Sequence, residues 1–327
     1  MHDYGTITGY VKPRDTFIGS ILNLSNTGGG GRGTDQGSIV GDVILHGKKK
    51  YWMRGGNNHY HLGLQSGENT LEAQLTLVLM KSIAATDAFD SSAFRQDYIK
   101  FMTTPGSHND TYASTAHRMF FANWVKKVKP EDCADNDGHN TDAIDALTLT
   151  VPVILKYADA DRALRNDKVK ECLYVTRRTR ALDKYAEAFA DLLVSVVKGA
   201  DLKSAVEKCG QQLDGDDGLV RSVKRMVEMS RGDPMVACYI DSSFPALLHF
   251  AYKYADSPEQ AILANANAGG ENVARGSLLG ALLGAAHGVD RFPQWSKDGL
   301  YQRDAIHTAI DTMCKDSSSS SGSSSKL

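Results

Sequence analysis

The sequence predicts an all-α fold. From Gly67 onward, apolar residues recur at the three-to-four spacing of one helix face, in segment after segment. Proline and glycine close several of these segments, and no repeat of about 20 to 50 residues appears, which excludes a solenoid. A chain of 327 residues buries roughly three quarters of its unfolded surface. One compact domain is therefore expected, without disulfide staples.

The elements follow in order. Leu71, Leu75, Val78 and Leu79 fall on one face and predict the first strong helix. Phe94, Tyr98, Ile99 and Met102 predict the next, stopped by Pro105-Gly106. Met119, Phe120 and Trp124 mark a helix that ends before Pro130. Ile144, Leu147 and Val151 continue the pattern, with Pro152 expected to kink that helix or fix its end. Apolar faces then run through Leu192 to Val197, Val220 to Met229 and Phe244 to Tyr252. Residues 277–286 are apolar nearly all round, which predicts a helix buried on every side. Gly276, Gly280 and Gly284 recur along it and are expected to admit neighbouring backbones.

Residues 1–60 form a loop-rich N-terminal part, 61–315 the helical body, and 316–327 a serine-rich tail expected to be disordered. A short strand is expected around Ile39 to Leu45. The cluster Gly28 to Gly31 with Gly33 lacks a following lysine and helix, so it reads as a loop and not as a phosphate cradle. Lys48 to Lys50 reads as a solvated face. The tail ends in Ser325-Lys326-Leu327, a tripeptide read by the peroxisomal import receptor, so a peroxisomal or cytoplasmic location is expected.

With 37 Lys plus Arg against 39 Asp plus Glu, the net charge is -2, which argues against nucleic-acid or membrane-surface partners. No apolar run reaches the roughly 20 residues needed to span a bilayer, and the opening residues lack the pattern of a signal peptide. Cys133, Cys172, Cys209, Cys238 and Cys314 are odd in number and scattered, so neither a disulfide framework nor a zinc site is expected. No Gly-x-Ser-x-Gly elbow or His-Glu-x-x-His pair occurs.

Gly67-Glu68-Asn69 and Gly270-Glu271-Asn272 each open an apolar helix. Carboxylates there serve either as caps against the helix dipole or as oxygen ligands for a hard cation such as Mg2+. The cluster Asp132 to Asp145 lacks the closing glutamate of a calcium loop. Asp142 and Asp145 share one face near a helix start. His59 and His61 are weak evidence for a metal, with a hydrogen-bonded structural role as the default. The turn from Thr103 to His108 either lines a cleft or merely stops one helix and caps the next.

Several blocks read together resemble the ADP-ribosylglycohydrolase family, in the branch that also holds the jellyfish J1 crystallins. They are His59-Tyr60-His61 followed by Gly67-Glu68-Asn69-Thr70; Phe101 to His108; and Ala268 to Asn272 running into Gly280 to Ala285. The resemblance covers nearly all of residues 1–315. It implies a compact orthogonal helix bundle with a dinuclear Mg2+ site in a central cleft, where the metals orient ADP-ribose and activate water at the distal ribose. Gly67-Glu68-Asn69-Thr70 stands where the family has Thr-Asp-Asp-Thr, and Gly270-Glu271-Asn272-Val273 where it has Asp-Thr-Asp-Thr. Glu68, Thr70 and Glu271 keep a charge or hydroxyl for metal. Asn69 and Asn272 are neutral, so one Mg2+ ion or none is expected in place of two. The residues Asp135 to Asp145 correspond to the family's mid-chain acidic segment.

Glu68 and Glu271 are the catalytic candidates on this resemblance; His61, Asn69, His108, Asp137, His139 and Asn272 are the substrate-binding ones. The implied activity is a divergent hydrolase cleaving an ADP-ribosyl or related ribosyl bond, on an ADP-ribosylated protein or a small conjugate. The rival expectation is a catalytically silent binding or structural protein of the same fold. Family members open with an apolar helix carrying a Gly-Asp segment, and here Met1 enters after that point. Either the natural chain is longer, or an apolar patch is left that self-association or residues 1–60 must cover.

Overall fold

The computed structural model describes residues 6–13, 39–53, 59–215, 217–229 and 232–315. The glycine cluster at 28–33 and the serine-rich tail lie outside these. The helices are α1 (Lys49–Met53), α2 (Leu71–Thr86), α3 (Ser91–Thr103), α4 (Thr115–Val125), α5 (Thr150–Lys156), α6 (Arg162–Thr176) and α7 (Asp183–Val197). They continue as α8 (Leu202–Asp214), α9 (Gly218–Glu228), α10 (Ile240–Lys253), α11 (Pro258–Ala268), α12 (Asn272–His287), α13 (Gln294–Asp298) and α14 (Arg303–Lys315). No β-strand occurs among the described residues; two isolated bridges, Asp135 with Arg177 and Ala143 with Tyr239, tie loops together. The all-α expectation holds.

The predicted faces are the buried ones. Leu71, Leu75 and Leu79 of α2 and Phe94, Tyr98 and Met102 of α3 are enclosed in one continuous core with α5, α6, α7, α10 and α12. Aspartates start several of these helices as the residue type predicts. Asp90 accepts from Ser92 N and Ala93 N at 2.8 Å each, and Asp201 accepts from Ser204 N at 2.9 Å. Among the described residues, no helix is long and apolar enough to cross a membrane.

Three sequence expectations are corrected. Ile39–Ile44 is a π-helical turn, not a strand. No neighbouring strand exists among the described residues to pair with it, so its backbone closes hydrogen bonds locally, and the Ile44 carbonyl receives His108 Nε2 at 3.1 Å. Pro152 does not end or kink a helix. A 3-10 turn, Ile144–Leu147, comes first, and Pro152 sits in the first turn of α5, where an amide hydrogen has no partner to lose. Finally, α12 is not buried on every side. Leu278, Leu279, Leu282 and Leu283 are enclosed, but Ser277 is exposed. Among the described residues nothing lies within 4 Å of a Cβ built on Gly280 or Gly284. Only Gly276 presses a neighbour, where an added Cβ would stand 2.8 Å from Asn265 Nδ2.

Candidate functional site

Three helical starts meet in the middle of the molecule: α2, the turn at Ile144, and α12. The segment before α10 joins two of them. Ile144 N donates to Cys238 O at 2.9 Å, Ile240 N to Asp142 O at 3.0 Å, and Glu271 N to Val236 O at 2.8 Å. Gly270 is required at this crossing: its φ is +65° and a Cβ would lie 2.2 Å from Val236 O. From below, the buried Arg275 fixes the same turn, with Nε donating to Asn265 Oδ1 at 2.6 Å and Nη2 to Gly269 O at 2.9 Å.

The start of α2 is capped from a distance. Thr70 occupies the cap position without a side-chain bond, and Asp110 supplies the acceptor instead. Asp110 Oδ2 accepts Leu71 N at 2.8 Å, while Oδ1 lies 2.8 Å from His61 Nδ1 and accepts Tyr112 N at 3.1 Å. Burial pushes the Asp110 carboxyl up, but the His61 charge and hydrogen bond and the Leu71 amide outweigh it and hold it below its usual range. Burial likewise opposes charge on His61, and Asp110 more than offsets it, so the imidazole is raised.

Behind this pair lies a second network. Glu72 Oε1 is 2.9 Å from His117 Nε2, and His117 Nδ1 is 2.7 Å from the Tyr98 hydroxyl. Asp145 Oδ2 pairs with the buried Arg177, whose Nε donates to Thr141 O at 3.2 Å. Burial raises Glu72, yet the His117 charge and hydrogen bond lower it further than burial raises it. For Asp145 burial wins over Arg177, and the nearby Glu72 adds to the upward shift. Glu271 completes the set. Its Oε1 accepts Ala274 N at 3.1 Å, and its carboxyl is raised, first by burial and then by Asp145, against the Ala274 amide and His61. Burial, Asp145 and Glu271 together push the Cys238 thiol up to about 12.

His61 and Glu271 are thus brought within each other's field, together with Asp110, Glu72 and Asp145. Glu68 is engaged elsewhere. Its Oε2 accepts Gln65 N at 2.9 Å, and the half-buried Lys48 feels its charge. Lys48 itself donates to His108 O at 3.1 Å, so it belongs to a contact while Lys49 and Lys50 are exposed. Asn69 is half-buried between Glu68 and Thr70. His108 stacks on Phe101 and binds the Ile44 carbonyl. Asn272 binds Ala266 O at 3.0 Å and receives Asn265 Nδ2 on its carbonyl at 2.8 Å, closing the α11–α12 turn. Asp137 organises its own loop through Thr141 N, His139 N and Asn140 Nδ2, and His139 stacks on Tyr239 with centroids 4.2 Å apart.

Asp110, Glu72, His117 and Arg177 were not singled out from the sequence, and Tyr98 was read there only as a core residue. A signal existed for His117: Thr115 to Ala122 are all buried, and a histidine and arginine inside such a run are informative. Glu68 and Glu271 each hold a backbone amide, and among the described residues no three His, Cys, Asp or Glu side chains gather to hold a metal ion.

Among curated proteins no match is found. A solved structure titled "ADP-ribosylglycohydrolase-related protein complex" is similar, with a TM-score of 0.59 and 19% identity, over 80% of this chain and 86% of that one. At that identity the likeness speaks for the fold. The sequence profile described as ADP-ribosylglycohydrolase matches residues 33–322, the whole span of helices described above. The chain belongs to the ADP-ribosylglycohydrolase family.

Proposed function

We propose that this protein is a divergent glycosyl hydrolase acting on an ADP-ribosyl or related ribosyl conjugate, with Glu271 as the group that works on the glycosidic bond. One observation carries the reading. Glu271 is fixed by a backbone amide at the meeting of the helical starts, and burial keeps its carboxyl protonated to higher pH than a free glutamate. Beside it stands a charge pair with the opposite tendency, Asp110 held low and His61 held high. Titratable groups pushed apart in this way mark acid and base assignments. Glu271 donates its proton to the leaving oxygen as the glycosidic bond breaks, while water oriented by the Asp110–His61 pair adds to the anomeric carbon and gives up a proton to solvent, from which Glu271 is reprotonated. The His139–Tyr239 stack offers a flat apolar surface to a base, with Asp137 behind it. Family membership supports hydrolysis; an ADP-ribosylated protein or small conjugate is the partner this reading implies. The tripeptide Ser325-Lys326-Leu327 supports the peroxisomal import receptor as a second partner.

A specific observation favours a second reading, a silent binding or structural protein like the J1 crystallins. Glu68 and Asn272, both at motif positions, are engaged in turn and helix hydrogen bonds. Incubation with ADP-ribosylated protein, with Mg2+ and with a chelator, separates the two. Release of free ADP-ribose supports the hydrolase. Binding of ADP-ribose by calorimetry with no release in either buffer supports the silent protein.

A further inference from the structure

Residues 6–13 lie against the helical body without joining any of its elements, and among the described residues no backbone–backbone hydrogen bond holds them. Side chains and carbonyls of two helices grip them instead. Near the end of α11, Asn267 takes both backbone groups of Ile7. Ile7 N donates to Asn267 Oδ1 at 2.7 Å, and Asn267 Nδ2 donates to Ile7 O at 2.8 Å. Three residues on, Tyr10 meets Trp295 of α13 edge to face, with ring centroids 5.5 Å apart, and its hydroxyl donates to Ser296 O at 3.0 Å. Gly9 passes the same indole, where an added Cβ would lie 3.8 Å from Trp295 Cε3. The two walls are tied to each other, for Trp295 Nε1 donates to Glu259 Oε1 at 2.9 Å in the first turn of α11. An amide fork that reads backbone beside an aromatic slot that reads a side chain is how grooves recognise extended peptides.

The slot leads directly to a motif turn. Gly299, just after α13, is where the Tyr10 ring packs: an added Cβ would stand 2.7 Å from Tyr10 Cδ2. The Gly299 carbonyl in turn fills the space that a side chain on the buried Gly67 would need, and Tyr301 N donates to Gly67 O at 2.9 Å. Gly67 has a φ of +76° and begins the turn that sets Glu68 before α2. We propose that the groove between α11 and α13 is a docking site for an extended peptide, that residues 7–10 are its resident and releasable ligand, and that docking of Tyr10 orders the Gly67-Glu68 turn. Release is local because so few bonds hold the segment, and Tyr10 is 41% exposed even when docked. The coupling runs through backbone at Gly299 and again at Gly67, so no flexible side chain absorbs a shift on the way. It makes no use of Glu271 and stands whether or not the protein hydrolyses a glycosidic bond.

Amide hydrogen exchange of the full chain tests the proposal. Tyr10→Ala should speed exchange about tenfold or more at the Tyr301 amide, which donates to Gly67 O, and at the Glu68 amide, which donates to Gln65 O at 3.2 Å. Interior amides of α7 should keep their rates, because the change removes no core residue. Tyr10→Phe keeps the ring on Gly299 and loses only the hydroxyl bond, so its rates should stay within about threefold of wild type. An excess of a synthetic peptide with the sequence of residues 6–13, added to the Tyr10→Ala chain, should restore slow exchange at both amides, since Asn267 and Trp295 remain to bind it. Faster exchange confined to residues 6–13, an equal rise in α7, or no slowing by the added peptide would overturn the proposal.

Discussion

Asp110 performs the capping that Thr70 leaves undone, and it does so while paired to His61. Removing its charge strands a buried imidazole and an amide together. Asp110→Asn is expected to cost about 3 kcal/mol, the usual loss on breaking a buried pair from one side; urea unfolding measures it. The pH dependence has a defined sign. Asp110 is held low, so its contribution is full above the unfolded carboxyl value, about 4, and is lost as pH falls through its depressed folded value. His61 is held high, so its contribution is full below about 6.5 and is lost as pH rises through its raised folded value. The gap in stability between wild type and Asp110→Asn should therefore be widest from about pH 4 to 6.5. A gap that widens above neutrality would contradict the pairing. Glu271 makes a second demand at this scale. As a proton donor with a raised carboxyl, it predicts a kcat that is level at low pH and falls as pH climbs through that raised value. A kcat that rises across the same range would remove it from the acid role.

Among elements, α12 gives the sharpest contrast, because its glycines differ in what surrounds them. Gly280 and Gly284 lie in helix interior with open space at the Cβ among the described residues. Alanine there should stabilise by about 0.5–1 kcal/mol each through helix propensity. Gly276→Ala should destabilise, since its methyl would meet Asn265 Nδ2 at 2.8 Å. Gly270→Ala should do so more severely, with both a positive φ and the Val236 carbonyl in the way. Thermal melts of the four variants check the order. Sequence periodicity located α2 and α3 because each buries one apolar stripe, and the stripe repeats at the helical spacing. It could not show that α12 leaves Gly280 and Gly284 open among the described residues, since glycine suits a tight contact and an empty face equally well. Nor could it reveal that α2 is capped by Asp110, which stands 39 residues from Leu71. Such a partner is set by the fold, not by local pattern. At Ile39–Ile44 so short a run suited strand or helix alike, and among the described residues no strand lies beside it.

For the molecule as a whole, the fold and the family were legible because their blocks are spread along the chain in a fixed order. The chemistry was less so. Glu271 stood out from its motif, but the groups that act on it, Asp145 and His61, come from distant segments, and Asp110 and Glu72 reach it only through them. The tail adds a prediction at this scale: a fluorescent fusion with Ser325-Lys326-Leu327 free at its end should form puncta that overlap peroxisomes, and diffuse signal would leave the tripeptide without a role. The proposed hydrolysis rests on Glu271, and one measurement bears on it most directly. Free ADP-ribose released from ADP-ribosylated protein is quantified for wild type and Glu271→Gln, both shown to be folded by their melting curves. The expected result is release by the wild type and a loss of about 100-fold or more in the variant. Equal release by both proteins, or none by the folded wild type with or without Mg2+, would contradict it.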